Sequence, residues 1–377
     1  MSAAARADAA RPLTVLYMDL GKGWRGGQRQ LLWTARGLRA RGHRPILALR
    51  PGSALVERAA AEGIHVVHVD PSFPEWGPWT VARLRRIIAR ERVDIVHPQS
   101  GHTMALAALA TLGARTPVVL ARRVIFPFRK NPGSRWKYGR AAHFIAVSHA
   151  AARGVVNAGF PPSRVDVVYS GMDLTRRIEP APPDTLAALG IPPGAPLAVM
   201  VAAIVTMKDP LTFVRGVAEA HRRLPQMHAM LVGEGHLRPD VEQLVQELGL
   251  QDVLHLTGFR TDADALLRAA DVFVLSSNNE GEALGSILLD AMALRRPIAA
   301  TAGGGIPEVV EHERTGLLAP VGDGVALGAN IARLLTDREL AARLADAAFR
   351  KVQAFSIEDT VDRTIQIYQR VLAERRR

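Results

Sequence analysis

"EALGSILLDAMALRRPIAATAGGGIPEVV", residues 282–310, sets two acids eight positions apart before an apolar run, three glycines and a proline. It follows the strand-like run "DVFVLSS" and the loop "NNEGEALG". "SILLDAMALR" reads as a helix, "RPIAAT" as the next strand, and three glycines then lead into Ile306-Pro307-Glu308, with Pro307 in the favoured first turn of another helix. Alternation of this kind builds a doubly wound parallel sheet, where ligands bind beyond the C-terminal ends of the strands. Glu282 therefore falls in the crevice near a helix N-terminus. Asp290 falls within the helix, and eight residues of helical rise place it about 12 Å along the axis. Acids so far apart are poorly placed to share one proton. They suit hydroxyls at opposite ends of an extended polyhydroxylated ligand, and the bare glycines admit a ligand close to the backbone. The alternative is a solvent-facing loop acid beside a plain glycine turn.

The same alternation extends in both directions. "LTVLYMDL", "HRPILALR", "IHVVHVD", "DIVHPQS", "PVVLARR", "HFIAVSH" and "VDVVYSGMD" are strand candidates in the first half. "LAVMVAAIV", "HAMLVGEG", "VLHLTGF", "VFVLSS", "RPIAAT" and "TGLLAP" form a second series. The proline-rich stretch "EPAPPDTLAALGIPPGAP" lies between them and marks the expected boundary. The expected domains are residues 1–180 and 181–355, both α/β and Rossmann-like, with a final helix, 356–377, packing back on the first. Two helices close the chain, the earlier one broken at "TD".

Composition agrees. Hydrophobic residues make up 48% of the 377 and aromatics 5%, so the core is chiefly Ala, Leu, Val and Ile. The absence of cysteine removes disulfides, thiolate metal sites and a cysteine nucleophile. "MSAAARADAARP" has no apolar h-region, and "MALAALATL" and "LAVMVAAIV" fall short of the roughly 20 residues of a spanning helix. The expectation is a cytoplasmic protein, soluble or peripheral on the membrane. Net charge is +12 and lopsided: residues 1–179 hold 28 Lys/Arg against 11 Asp/Glu, and residues 180–377 hold 20 against 25. This is either a solvated basic surface or a half that meets an anionic membrane or a phosphorylated acceptor. Nucleic acid is not the expected partner, because the cations are scattered and no RNA motif or zinc finger is present.

Several short motifs carry less. "GKGWRG", residues 21–26, spells G-x-G-x-x-G, but the following strand ends in Arg50 rather than a ribose-binding acid, and the helix is expected after Gly27. A phosphate-facing turn at a helix N-terminus remains. "DAD", residues 262–264, is better read as a helix N-cap than as a metal motif. His65 and His68 do not share a strand face, and no metal is assigned.

Taken together, these residues resemble the family 4 retaining glycosyltransferases of GT-B fold, two Rossmann-like domains facing across a cleft. The resemblance rests on the opening block, on "GWRGGQRQLLWTARGLRARGH", "DIVHPQSGHT", "IAVSHAAARGVVNAGFPPSRVDVVYSGMD", "VAAIVTMKDPLTFVRGVAEA", "LVGEGHLRPDVEQL" and "LTGFRTD", in order along residues 14–370. It implies that Glu282 binds donor-sugar hydroxyls, with Ala283, Leu284 and Gly285 beside it, and that Asp290 binds the nucleotide ribose. Lys208 would neutralise the donor diphosphate, and Gly26 and Gly27 would approach it from the other domain. Gly258, Phe259 and Arg260 would lie near the nucleobase. Two positions depart from the family pattern. Ala203 stands where an arginine often precedes the lysine, and Arg122 and Arg123 stand where a histidine often points at the reacting centre. Arginine can pair with phosphate bidentately, so these two are acceptor-side candidates. His102 is the remaining histidine in a crevice loop, read either as a site residue or as structural.

The implied activity is transfer of a sugar from a nucleotide-diphosphate sugar to a glycan or lipid-linked acceptor, with retention, in cell-envelope or lipopolysaccharide synthesis. No cofactor or metal is expected. The alternatives are another GT-B enzyme, such as a phosphorylase or sugar-nucleotide epimerase, or a nucleotide-sugar-binding protein without turnover. Arg129, Lys130, Arg135, Lys137 and Arg140, interleaved with Phe126, Phe128, Trp136 and Tyr138, are either a membrane-resting segment or a core with solvated cations.

Overall fold

Strands buried on both faces need near-continuous apolar runs and helices to cover them. The computed structural model describes residues 11–70, 77–129, 131–182 and 184–375, so residues 1–10 and Lys130 of the basic segment lie outside it. Among the described residues the apolar runs form two all-parallel sheets. The first comprises β1 (Thr14–Asp19), β2 (Arg44–Leu49), β3 (His65–His68), β4 (Ile95–Pro98), β5 (Val118–Arg122), β6 (Ala141–Ala146) and β7 (Val165–Val167), in the order β3-β2-β1-β4-β5-β6-β7. The second comprises β8 (Leu197–Val201), β9 (His228–Val232), β10 (Leu254–Gly258), β11 (Val272–Leu275), β12 (Ile298–Thr301) and β13 (Leu317–Ala319), in the order β10-β9-β8-β11-β12-β13. Each order reverses once, beside β1 and beside β8. Leu16 thus lies between Ile46 and Val96, and Val199 between Met230 and Phe273.

The chain divides into two compact units. One is Met1–Arg123, Pro127–Gly171 and Ile357–Arg377; the other is Val124–Phe126 and Met172–Ser356. The division falls at Gly171/Met172, before the proline-rich stretch rather than within it. Met172 N–H donates to Phe355 O at 2.8 Å, and Ile191 and Leu197 belong to the second unit's core, with Leu186 and Leu189 packed on it. The stretch is therefore part of that core.

Helix Ile357–Glu374 completes the first unit against helix Gly26–Ala40. The approach is close enough that a Cβ on Gly37 would stand 2.5 Å from Val361 Cγ2. Tyr368 is buried, and its hydroxyl lies 2.9 Å from that of Tyr17 and also bonds His97 Nδ1. Burial drives both phenols well above their usual range. Burial and then the Arg123 charge push His97 down to about 3, so it is a neutral imidazole at physiological pH. A cavity of about 30 Å³ beside Tyr17, His97, Arg123 and Thr360 has room for one or two waters. The final helical region of the second unit is broken as expected, into Gly324–Thr336 and Arg338–Val352, because Asp337 caps the second helix through Leu340 N at 2.9 Å. No described helix is long and apolar enough to cross a membrane.

Candidate active site

The second sheet reverses its order between β8 and β11, so the crevice expected for a ligand lies at the C-terminal ends of these strands. Each leads into one loop of the candidate site. After β8, a short turn Thr206–Lys208 leads to Asp209 and helix Pro210–Arg223. Asp209 takes the left-handed conformation at φ 44°, which its carboxylate supports locally, accepting from Thr212 N at 3.2 Å and Thr212 Oγ1 at 2.7 Å. After β11, Ser276 and Asn278 fasten this turn from the other side. Ser276 Oγ lies 2.9 Å from Lys208 O and 2.8 Å from Asp209 O, while Asn278 Nδ2 donates to Thr206 O at 2.8 Å. The turn is thereby held where Lys208 Nζ meets the Glu282 carboxylate.

Glu282 is 5% exposed, and both of its carboxylate oxygens are bonded within the protein. Its Oε2 accepts from Lys208 Nζ and from Ser277 Oγ at 2.9 Å, and its Oε1 from Gly285 N at 2.8 Å. Burial alone would raise this carboxyl, but Lys208, Ser277 and the Gly285 amide together hold it below the usual glutamate range. A carboxylate offers about four acceptor positions, so with three occupied roughly one remains for a hydroxyl. The lysine ammonium has three donors, and Glu282 takes one.

The glycines after β12 lie against this loop. A Cβ on Gly304 would stand 1.8 Å from Glu282 O, and one on Gly305 1.8 Å from Ala283 O. Gly305 N donates to Glu282 O at 3.1 Å. The glycine requirement is therefore a backbone-to-backbone contact that fixes the acid's main chain. Val124 bridges antiparallel to Glu282 from the opposite side. Glu282 is thus neither a solvent-facing acid nor part of a helix. The following helix begins only at Ile287, so the eight-residue helical rise to Asp290 does not exist and the 12 Å separation built on it is withdrawn. Ala283 and Leu284 are buried, and Gly285 turns the chain at φ 72°.

Asp290 is 1% exposed within helix Ile287–Ala293. Arg176 Nη1 lies 3.6 Å from its Oδ1, while Arg176 Nη2 bonds Asp264. Asp262 occupies the position before helix Ala263–Ala269 but makes no capping bond. Arg260 holds its carboxylate instead at 2.8 and 2.6 Å, and keeps it below the usual aspartate range. The N-cap reading of "DAD" is therefore corrected: both aspartates serve arginines. Gly258 ends β10 at φ 72°, and Phe259 beyond it is 68% exposed. Among the described residues no group of three or more His, Asp or Glu is arranged to hold a metal.

In the first unit the glycine-rich turn follows β1. The helix begins at Gly26, two residues before the start expected after Gly27. A Cβ on Gly27 would meet nothing within 4 Å, so packing within the unit does not demand glycine there. Asp19 braces the turn, accepting from Gly21 N at 2.8 Å and from Gln28 Nε2 at 3.1 Å. Arg123 Nη1 donates to Gly27 O at 3.2 Å, and the Arg122 guanidinium lies over the Phe128 ring at 4.2 Å, itself buried. His102 stands in the first turn of helix Gly101–Ala110, not in a loop.

Residues 24–176 match the family described as Glycosyltransferase Family 4, and residues 183–351 the family described as Glycosyl transferases group 1. The D-inositol 3-phosphate glycosyltransferase of Kineococcus radiotolerans is 30% identical over 310 residues, 76% of this chain and 69% of its own length. This chain belongs to the family 4 glycosyltransferases. The lipopolysaccharide core biosynthesis glycosyltransferase LpsD of Rhizobium meliloti is 33% identical over 53% of the chain, and the match spans 57% of LpsD. The fold of this family 4 chain is GT-B: the crystal structure of Anabaena HepE with UDP and glucose superposes with TM-score 0.82 at 21% identity, covering 95% of this chain and 99% of that one.

The sequence singled out Glu282, Lys208 and Asp290 but not Ser276, Ser277, Asn278 and Arg176, which the structure brings against them. The run "SSNN" at the end of an apolar strand was an available signal for the first three. Arg176 had none, since its partners Asp264 and Asp290 are remote in sequence.

Proposed function

We propose that the chain moves a sugar from a nucleotide-diphosphate sugar to an acceptor hydroxyl with retention of configuration, in synthesis of an envelope glycan such as lipopolysaccharide. The observation that carries this reading is the Lys208–Glu282 pair at the switch point of the second sheet. With Glu282 taking one ammonium donor, Lys208 keeps two for phosphate oxygens as the diphosphate departs. The remaining acceptor position on Glu282 suits a donor-sugar hydroxyl, and Asp290 suits the ribose. In this reading a lysine and helix N-termini supply the counter-charge, with no metal ion. Calorimetry across UDP, GDP, ADP and CDP, followed by turnover of the matching sugars with and without acceptor, tests it. HepE was crystallised with UDP, so uridine compounds come first. One diphosphate should bind, and its sugar should transfer slowly to water. Absence of binding across the panel would remove the reading.

The first unit supplies the acceptor side in this proposal, through Arg122, Arg123 and His102, from a peripheral position on the cytoplasmic face of an anionic membrane. The expected aromatic segment divides: Phe128 and Tyr138, partly buried, pack together at 4.5 Å against the core, whereas Trp136 is exposed on helix Pro132–Gly139. Helix Pro78–Arg90 adds Trp79, 84% exposed, with Arg83 and Arg86 following at helical spacing on the exposed side. Both helices pack on helix Gly101–Ala110. Aromatic tips with flanking arginines suit an anionic interface. The protein should co-sediment with phosphatidylglycerol vesicles but not phosphatidylcholine vesicles, less at high salt, and less after Arg83→Ser with Arg86→Ser. Equal indifference to both lipids would leave the basic surface as solvation only.

A further inference from the structure

Arg176 lies on a segment that is pinned at both ends. Met172 bonds Phe355 on one side, and Ile178 O accepts from Arg268 Nη1 on the other. Between them Asp173 organises a turn, its Oδ1 accepting from Thr175 Oγ1 at 2.6 Å while Arg176 N donates to Asp173 O at 3.1 Å. The guanidinium then meets two carboxylates unequally. Nη2 is bonded to Asp264, at the partly exposed start of a helix, and Nη1 stands 3.6 Å from Asp290 Oδ1, too long for a hydrogen bond but within ion-pair range. Asp290 is almost wholly buried, where an ionised carboxylate needs nearby positive charge. The tight bond to Asp264 fixes the arginine, and that anchorage sets its second nitrogen within ion-pair range of Asp290.

We propose that Arg176, anchored by Asp264, is a positioning residue that holds the buried Asp290 carboxylate ionised and oriented to accept from the nucleotide ribose. This rests on the reading of Asp290 as the ribose-binding acid. Nucleotide affinity therefore depends on Arg176 through Asp290, whereas turnover at saturating donor does not.

The test is a double-mutant cycle on the diphosphate that the wild-type chain binds, UDP first, read by calorimetry and accompanied by thermal melting. Arg176→Ala should weaken UDP about tenfold, and Arg176→Lys should recover part of the loss. Asp264→Asn releases the arginine without removing it, keeps the fold testable if Arg176→Ala does not fold, and should weaken UDP about threefold. In an Asp290→Asn background, Arg176→Ala should change affinity less than about twofold, because the group it acts through is gone. With UDP-sugar, Arg176→Lys should raise KM and leave kcat near wild type. Additive losses in the cycle, or lower melting temperatures with unchanged affinity, would overturn the proposal and leave Arg176 as a structural tie. Failure of the wild type to bind any diphosphate would instead remove the ribose reading, and this inference with it.

Discussion

Glu282→Gln is expected to lower kcat by about 10²–10³-fold while leaving the affinity for free nucleotide diphosphate within about threefold. The substitution keeps the shape of the side chain and removes its charge. In the protein both carboxylate oxygens already accept hydrogen bonds, Oε1 from Gly285 N and Oε2 from Ser277 Oγ and Lys208. An amide can accept at only one end. Whichever way it turns, its NH₂ group faces a donor, either the Gly285 amide or the Lys208 ammonium. The Glu282 loop therefore loses its register as well as its charge. Asp290→Asn should do the reverse, weakening the nucleotide itself and affecting saturated turnover less. Steady-state kinetics beside calorimetry with the free diphosphate separates the two. Normal turnover in both variants would place the reaction elsewhere in the molecule.

Lys208→Ala should lose donor affinity about ten- to hundredfold, since a charge-assisted contact to phosphate is worth roughly 1.5–3 kcal/mol. Added magnesium should not restore it, and rescue by magnesium would favour a metal mechanism instead. The same substitution should also destabilise the fold by about 2–4 kcal/mol, at the lower end for a buried pair because the Lys208 side chain keeps 18% of its surface exposed. This loss has a pH dependence of definite sign. In the wild type the folded Glu282 carboxyl sits below its unfolded value of 4.5, so its contribution is fully present above that pH and disappears as the pH falls through the folded value. Without Lys208, burial dominates and the carboxyl rises, so the variant binds its proton more readily when folded. The gap between wild type and variant should be widest at neutral pH and narrow below about pH 4.5. Urea unfolding at pH 7 and pH 4 measures it. An equal gap at both would mean that Lys208 does not neutralise Glu282.

The two parallel sheets are legible in local pattern. Strands such as "VFVL" and "IAAT" are buried over their whole length, and burial on both faces writes itself as an unbroken apolar run. Local pattern also sets where one acid must sit, because Glu282 and the glycines that pack on its backbone lie within one strand–helix–strand unit. Which charges meet is set by contacts between distant segments. Lys208 reaches Glu282 across 74 positions, Arg176 reaches Asp264 across 88, and Tyr368 reaches Tyr17 across 351. Local propensity made Asp262 a helix cap, and a bidentate arginine two residues away took its carboxylate instead. The spacing of Glu282 and Asp290 suggested one continuous helix, yet the chain stays extended through Glu282 because Val124 and Gly305 bond its backbone. Secondary structure follows from neighbours in sequence, whose sterics and periodicity are local. A buried carboxylate is stabilised only by whichever distant cation the completed fold brings to it, and no local pattern records that partner.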